Sequence, residues 1–309
     1  MGDILTIVMP VFLVVAAGYA AVWAKLFSDA AVDGLMAFAQ KFAIPCLLFA
    51  AISTLDLGRD FDLGLMLSYY SGSIICFFAG LFGARLIFGR PWEDSVAIGF
   101  CALFANSVLL GLAVGERAYG IDSLGPNYAI IALHAPVCYI LGIVTMEIVR
   151  AQTGGMALIR TVTRAIFRNA LMIGIGLGFA VNLSGIAVPA ILDEAVALIM
   201  RAALPAALFG LGGVLYRYKP EGDAGVIAMI CAISLVLHPT IAWSLGKTMG
   251  GLSQEQLRAA VVTAAMAPGV NTYIFADMYG AARRVVASSI LIGTGLTVIT
   301  GSAWILLVG

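Results

Sequence analysis

Apolar runs of about twenty residues recur along this chain, and about 20 apolar residues is what one helix needs to span a hydrocarbon core. Ten such runs lie at 4–23, 34–54, 63–88, 95–115, 127–149, 169–185, 192–215, 224–246, 257–278 and 285–308, and each predicts a transmembrane helix. Short polar breaks at 56–62, 88–94, 116–126 and 216–223 separate some of them, each carrying glycine, proline or charge. Hydrophobic residues make up 62% of 309 and charged residues 11%, whereas a water-facing domain carries roughly 25% charged residues. The bilayer is therefore the expected solvent, and the expected fold class is all-α integral membrane. With zero net charge and no basic or acidic tail, nothing points to a nucleic-acid partner.

The five cysteines, Cys46, Cys76, Cys101, Cys138 and Cys231, fall inside apolar runs with no CxxC spacing and no paired histidine, so they read as small buried hydrophobes. No metal and no cofactor are expected. Met1 to Thr6 fits a myristoylation pattern formally, but a helix starts at once. The first run also lacks the basic leader of a cleavable signal, so it is expected to be retained as a helix. Lys and Arg stay on the cytoplasmic side of a membrane. With the N-terminus outside, the inner loops hold Lys25, Arg85, Arg90, Arg150, Arg160, Arg164, Arg168, Arg217, Lys219, Arg283 and Arg284, and the outer loops hold Arg59, Arg117, Lys247 and Arg258. Both termini are thus expected outside a cell (inner) membrane, with 150–168 as a cytoplasmic connecting loop.

The two halves match at a constant offset of 160 residues. Gly18 and Ala20 correspond to Gly178 and Ala180, Asp33 to Asp193, and Lys41 to Arg201. FAIPCLLF at 42–49 corresponds to AALPAALF at 202–209, repeating Ala43, Pro45, Leu48 and Phe49 as Ala203, Pro205, Leu208 and Phe209. A matched proline beside a matched intramembrane cation favours duplication over chance. Residues 1–149 and 169–309 then form two five-helix repeats. Five is odd, so the second copy enters the membrane from the other side. An inverted pair supplies two nearly equal packings, one open to each side, which is what alternating access requires. A secondary transporter is the expected function class. No GxSxG, HExxH or phosphate-cradling glycine loop is present, so neither an enzyme nor an ATP-driven pump is expected. A membrane-embedded sensor or enzyme is the reading from a different class.

In folds of this kind the substrate lies near the midplane, between discontinuous helices whose exposed amides hold an anion. The fourth and ninth segments carry breakers in matching places, FANSVLLG at 104–111 and APGVNTY at 267–273. Asn106 and Ser107 are N-cap residue types. Pro268 lacks an amide donor and Gly269 widens the backbone's choices, while Asn271 and Thr272 add polar side chains. Two broken ends meeting would make a polar pocket in an apolar slab; ordinary kinks tolerated in membrane helices are the alternative.

Pro45 and Pro205 break the second and seventh segments among apolar neighbours and read as kinks that shape a wall. Lys41 and Arg201 stand four residues earlier on the same helix faces. A cation at such depth costs about 2.5 to 3.5 kcal/mol, and two reasons for keeping it stay open: attraction of an anionic substrate, or a snorkelling or structurally paired side chain. Asp277 and Glu147, near expected cytoplasmic helix ends, are either solvated carboxylates or proton-coupling groups. His134 and His238 are lone histidines in apolar spans and read as hydrogen-bonded packing residues. Gly174, Gly176 and Gly178 include the GxxxG spacing of close helix packing.

These stretches in their order, residues 42–49, 106–111, 168–171 with the following Gly-rich helix, 204–213, and 267–276 through Tyr279 and Ser288, resemble the auxin efflux carrier family over essentially the whole chain. The resemblance implies a ten-helix fold like that of bile acid sodium symporters. Helices one, two, six and seven would be a scaffold, and three to five with eight to ten a moving unit. Helices four and nine would cross beside the substrate anion, with Asn106, Ser107, Pro268, Gly269 and Val270 at the crossing and Asn271 just beyond. It also implies an elevator-type carrier of small organic anions such as auxin, malonate or malate, and homodimers joined through the scaffold. The shared fold leaves a sodium-coupled symporter of an amphipathic acid as the alternative. The chain departs from the pattern at Ala105 and Ala113, where prolines are common, and its connecting loop is short, so it fits a bacterial-type member without the plant carriers' regulatory loop.

Overall fold

The computed structural model describes residues 2–150, 159–160, 163–164, 170–248 and 251–309, so most of the expected loop at 150–168, Arg168 included, lies outside the described residues. Every regular element among the described residues is helical. Seven helices are long and apolar enough to cross a membrane: Thr6–Trp23, Asp29–Ser53, Leu63–Ile87, Gly125–Arg150, Ala190–Arg217, Ala224–Thr248 and Arg283–Val308. The other three segments read from the sequence are not continuous spans of that length. The run at 169–185 is the shorter helix Ala170–Ser184. The fourth segment divides into Trp92–Leu103, a π-helical turn Ser107–Leu112 and Ala113–Tyr119. The ninth divides into Gln254–Ala264 and Asn271–Tyr279.

Proline explains several gentler irregularities. In the second span a π-helical turn, Ala39–Ala43, lies between Asp29–Phe38 and Ile44–Ser53, with Pro45 at the start of the latter. Pro45 has no amide to offer the carbonyl one turn back, and the extra residue of a π turn absorbs the mismatch. The same device recurs as Ile233–Leu237 just ahead of Pro239. The seventh span bends at Arg201 and Ala202, with Pro205 in the first turn of Ala203–Arg217.

Glycines then set which helices touch. A Cβ on Gly18 would lie 1.9 Å from the Phe209 carbonyl oxygen, and one on Gly212 would lie 1.9 Å from that of Val15. Gly2–Trp23 and Ala203–Arg217 therefore run in backbone contact. A Cβ on Gly174 would lie 2.4 Å from the Pro45 oxygen and one on Gly178 3.0 Å from the Phe49 oxygen, which joins Ala170–Ser184 to Ile44–Ser53 in the same way. Asn182 secures that pair, its Nδ2 donating to the carbonyls of Ile52 at 2.9 Å and Leu55 at 2.8 Å. A second group forms around Leu63–Phe82, which packs on Trp92–Leu103 and on His238–Thr248, itself against Gln254–Ala264. Ion pairs join the elements at their ends, where Arg217 meets Asp29 at 3.0 Å and Asp33 at 2.7 Å, and Arg90 meets Asp223 at 3.2 Å.

Candidate functional site

The two interruptions meet. Ala105 and Pro268 face each other in a single antiparallel β-bridge. The Asn106 amide donates to the Ala267 carbonyl at 2.8 Å, and the Gly269 amide to the Phe104 carbonyl at 2.9 Å. Asn106, at φ −75° and ψ 61°, leaves the helical region before the turn Ser107–Leu112 begins.

Backbone groups inside a bilayer need partners within the protein, and several carbonyls of the crossing have them, while those of Ala265, Met266 and Pro268 accept no hydrogen bond among the described residues. The Ala102 oxygen accepts from the Ser234 hydroxyl at 3.2 Å. The Ala105 oxygen accepts from the Ser107 amide at 2.8 Å and from His134 Nε2 at 3.2 Å. The Asn106 oxygen accepts from the Leu110 and Gly111 amides, and the Gly269 oxygen from the amide and hydroxyl of Thr272. Donors are left over as well. Val108, Leu109, Val270 and Asn271 lie in first turns after the breaks, where amides lack an intrahelical acceptor, and none of the four has a capping acceptor among the described residues. The Asn106 Nδ2, in a residue only 5% exposed, has no partner among the described residues.

A cavity of about 70 Å³ lies against these groups. Asn106, Ser107, Val108, Leu109, Gly269, Val270 and Asn271 form its crossing side, and Gln40, Ile44 and Leu171 form the opposite wall. Pro268 and Thr272 build the crossing without lining the cavity: Pro268 holds the bridge, and Thr272 spends its hydroxyl on the Gly269 carbonyl at 2.7 Å. Gln40 was not singled out from the sequence. The signal was there, an uncharged polar residue in the middle of an apolar run, but Lys41 beside it drew attention as the charged one.

Behind the crossing lies a buried polar cluster. His134 Nε2 faces a carbonyl, which can only accept, so Nε2 carries the proton and Nδ1 accepts from the Tyr69 hydroxyl at 3.4 Å. His238 Nε2 lies 3.1 Å from the Ser73 hydroxyl and 3.3 Å from the Tyr69 carbonyl. Asn127 Nδ2 donates to Thr263 Oγ1 at 2.9 Å, which ties the Gly125–Arg150 helix to the first half of the ninth segment.

The other residues singled out from the sequence stand apart from the crossing. Pro45 packs on Gly174. Lys41 is exposed. Arg201 and Pro205 line a different, larger cavity. Asp277 is exposed and pairs with Arg283 at 3.1 Å. Glu147 is buried and accepts from the Tyr279 hydroxyl at 3.3 Å. Among the described residues no group of histidine, cysteine and carboxylate side chains is placed to hold a metal ion.

A multi-pass helical bundle with interrupted spans joined at a donor-rich cavity belongs to the class of membrane transport proteins. The profile of the family described as membrane transport protein matches residues 3–157 and 155–305, and the chain belongs to that family, the one that holds the auxin efflux carriers. It is similar to the "Putative malonate transporter" of Rhizobium meliloti (strain 1021), 23% identical over 305 residues that cover 97% of this chain and 94% of that protein. It is also similar to the "Probable auxin efflux carrier component 5a" of Oryza sativa subsp. japonica, 26% identical over 144 residues, 44% of this chain and 39% of that protein. The family and both names describe carriers rather than enzymes.

Proposed function

We propose that the chain is a secondary carrier of small organic anions, holds the anion at the crossing, and exposes it to the two membrane faces in turn by an elevator-type movement. The observation that carries this reading is the set of unmatched donors beside the cavity. Among the described residues the Asn106 side-chain amide and the first-turn backbone amides of Val108, Leu109, Val270 and Asn271 have no acceptor. A carboxylate offers only acceptors, so it satisfies such groups and leaves no buried donor unmatched. The cavity of about 70 Å³ suits an anion of few heavy atoms. The relative named for malonate supports a short dicarboxylate.

Alternation rests on ten membrane crossings arranged as two inverted five-helix repeats, with both termini outside. Packing supports that arrangement: Gly18 meets Phe209, and Gly178 meets Phe49, the same two positions exchanged between halves at the 160-residue offset. The first, second, sixth and seventh segments form the scaffold, which also joins two copies into a homodimer, and the crossing travels with the remaining helices.

Binding of labelled malonate to the purified protein tests the site. Asn106→Ala removes one donor to a charged ligand, worth about 1.5 to 3 kcal/mol, so affinity should fall by about tenfold or more while the melting temperature holds. Unchanged affinity would move the site elsewhere. Counterflow of labelled malonate into preloaded proteoliposomes tests the carrier reading, and its absence would favour a sensor.

A further inference from the structure

A second cavity, of about 420 Å³, lies between the Gly2–Trp23 helix, the Ala113–Tyr119 helix and the bend of the seventh span. We propose that this cavity binds an amphipathic organic monocarboxylate, with the carboxylate at Arg201 and the apolar body against Val11 and Leu204. The site is separate from the crossing and stands whether or not the crossing binds malonate.

Three observations lead there. The first is address. On this wall stand Val11, Met200 and Leu204, and the crossing cavity carries Leu171, Gln40 and Ile44, their counterparts at the 160-residue offset. The two cavities occupy corresponding places in the two halves, yet the polar Gln40 has become the apolar Met200, so the second cavity selects a different ligand.

The second is charge. Arg201 stands at the bend, eleven residues into a span, where helix rise puts it about 16 Å from the span's start and so near the middle of a core about 30 Å thick. Its side chain has no hydrogen bond or ion pair among the described residues. Arg117, at the other end of the cavity, donates to the Thr6 carbonyl at 3.4 Å, and among the described residues Glu116 forms no ion pair with either arginine. Two arginines against one glutamate leave the cavity electropositive, and a cation kept at that depth calls for an anion.

The third is size and polarity. The volume lies within the range of small-molecule sites, roughly 300 to 1,000 Å³, and apart from its three charged residues and Pro10 and Pro205 the lining is aliphatic or thioether. A short dianion would leave most of this wall wet, and the two acyl chains of a phospholipid would overfill it. A single carboxylate on an apolar body of moderate length matches both features.

The test is binding of labelled octanoate and labelled malonate to the full-length protein in detergent, for the wild type, Arg201→Gln, Leu204→Trp and Asn106→Ala. Octanoate affinity should fall about tenfold or more in Arg201→Gln, on the scale of a lost charge-assisted hydrogen bond. It should fall also in Leu204→Trp, which keeps the charge and fills the space, and should be unchanged in Asn106→Ala. Octanol should compete weakly. Octanoate affinity equal in the wild type and Arg201→Gln would overturn the proposal. So would octanoate binding that is lost in Asn106→Ala, or that appears only after co-purified phospholipid is stripped and vanishes when phospholipid is returned. Malonate binding that fails throughout, with octanoate still dependent on Arg201, would defeat the crossing as a malonate site and leave this one standing.

Discussion

His134 does not line the crossing cavity, yet it holds the crossing from behind, and removing it measures what that support is worth. His134→Leu deletes the donor to the Ala105 carbonyl and the acceptor of the Tyr69 hydroxyl. The carbonyl keeps the Ser107 amide at 2.8 Å, so that loss is partial. Tyr69 is fully buried, and without the histidine its hydroxyl keeps Ser73 as a side-chain hydrogen-bond partner, so that loss is partial too. Hydrogen bonds between membrane helices average about 0.6 kcal/mol and reach about 1.7, and a buried hydroxyl stripped of its partner costs about 1 to 3 kcal/mol. His134→Leu should therefore cost about 1 kcal/mol, and adding Tyr69→Phe, which removes the hydroxyl that lost a partner, should recover part of it. Reversible unfolding of the four proteins of this cycle in mixed micelles reads the coupling directly, and a coupling within about 0.3 kcal/mol of zero would refute the hydrogen-bonded reading. Ala105→Pro adds a second check. Proline fixes by ring closure a backbone that the histidine fixes by hydrogen bonding, and the Ala105 amide it removes contacts only the Leu103 carbonyl, at 3.2 Å. Malonate affinity lost in His134→Leu should return when Ala105→Pro is added; a failure to return would place the role of His134 elsewhere.

Gly212→Ala brings a methyl group to 1.9 Å from the Val15 carbonyl oxygen, whereas Gly176→Ala meets nothing within 4 Å. The first should lower stability by about 1 to 3 kcal/mol or more and the second should not, and equal melting temperatures would refute the close helix contact. Gln40 lines the crossing cavity and Lys41 does not, so Gln40→Ala should weaken malonate binding several-fold and Lys41→Gln should leave it unchanged, as titrated by direct binding. Asp60 lies outside the spans and is 6% exposed; burial raises its pKa above the usual carboxylate value, with Arg59 opposing. The folded protein then holds this proton longer than the unfolded chain, so stability falls as pH rises from about 4 through the folded value. Asp60→Asn should flatten that part of the profile of melting temperature against pH, and a wild-type profile that climbs there would contradict the assignment.

The spans were legible because hydropathy has a length scale, and the bilayer sets it. The interruptions were legible for a related reason: Pro268 and Gly269, and Asn106 and Ser107, are chemically unsuited to the middle of an apolar helix, and the chain has no other way to write a break. What sequence could not supply was the direction in which each neighbour faces. Lys41 and Gln40 are adjacent, but the π-helical turn Ala39–Ala43 shifts the facing of the residues around it, so the polar amide reaches the crossing cavity and the cation does not. A face count at 3.6 residues per turn has no access to that extra residue. Lys41 and Arg201 hold equivalent positions in the repeat, yet only Arg201 lines a cavity among those described. That difference comes from the surrounding helices and not from either residue.

His134 was legible as a hydrogen-bonded packing residue, but its partners were hidden by distance along the chain. The histidine meets Ala105 across 29 residues and Tyr69 across 65, and no local pattern marks a long-range hydrogen bond. The unmatched donors at the crossing were hidden in a different sense, because they follow from how two breaks pair and not from any one residue. Each broken helix taken alone exposes both carbonyls at the end of its first half and amides at the start of its second. When the two breaks pair, the bridge consumes the carbonyls of Phe104 and Ala267, Ser234 and His134 take those of Ala102 and Ala105, and the Asn106 side-chain amide and the first-turn amides beside the cavity stay unmatched among the described residues. Anion selectivity in such a site therefore depends on the residues behind the crossing, whose hydroxyl and imidazole donors occupy the Ala102 and Ala105 carbonyls. Replacing Ser234 or His134 by an apolar residue would return acceptors to the crossing and should erode selectivity for anions before it abolishes binding.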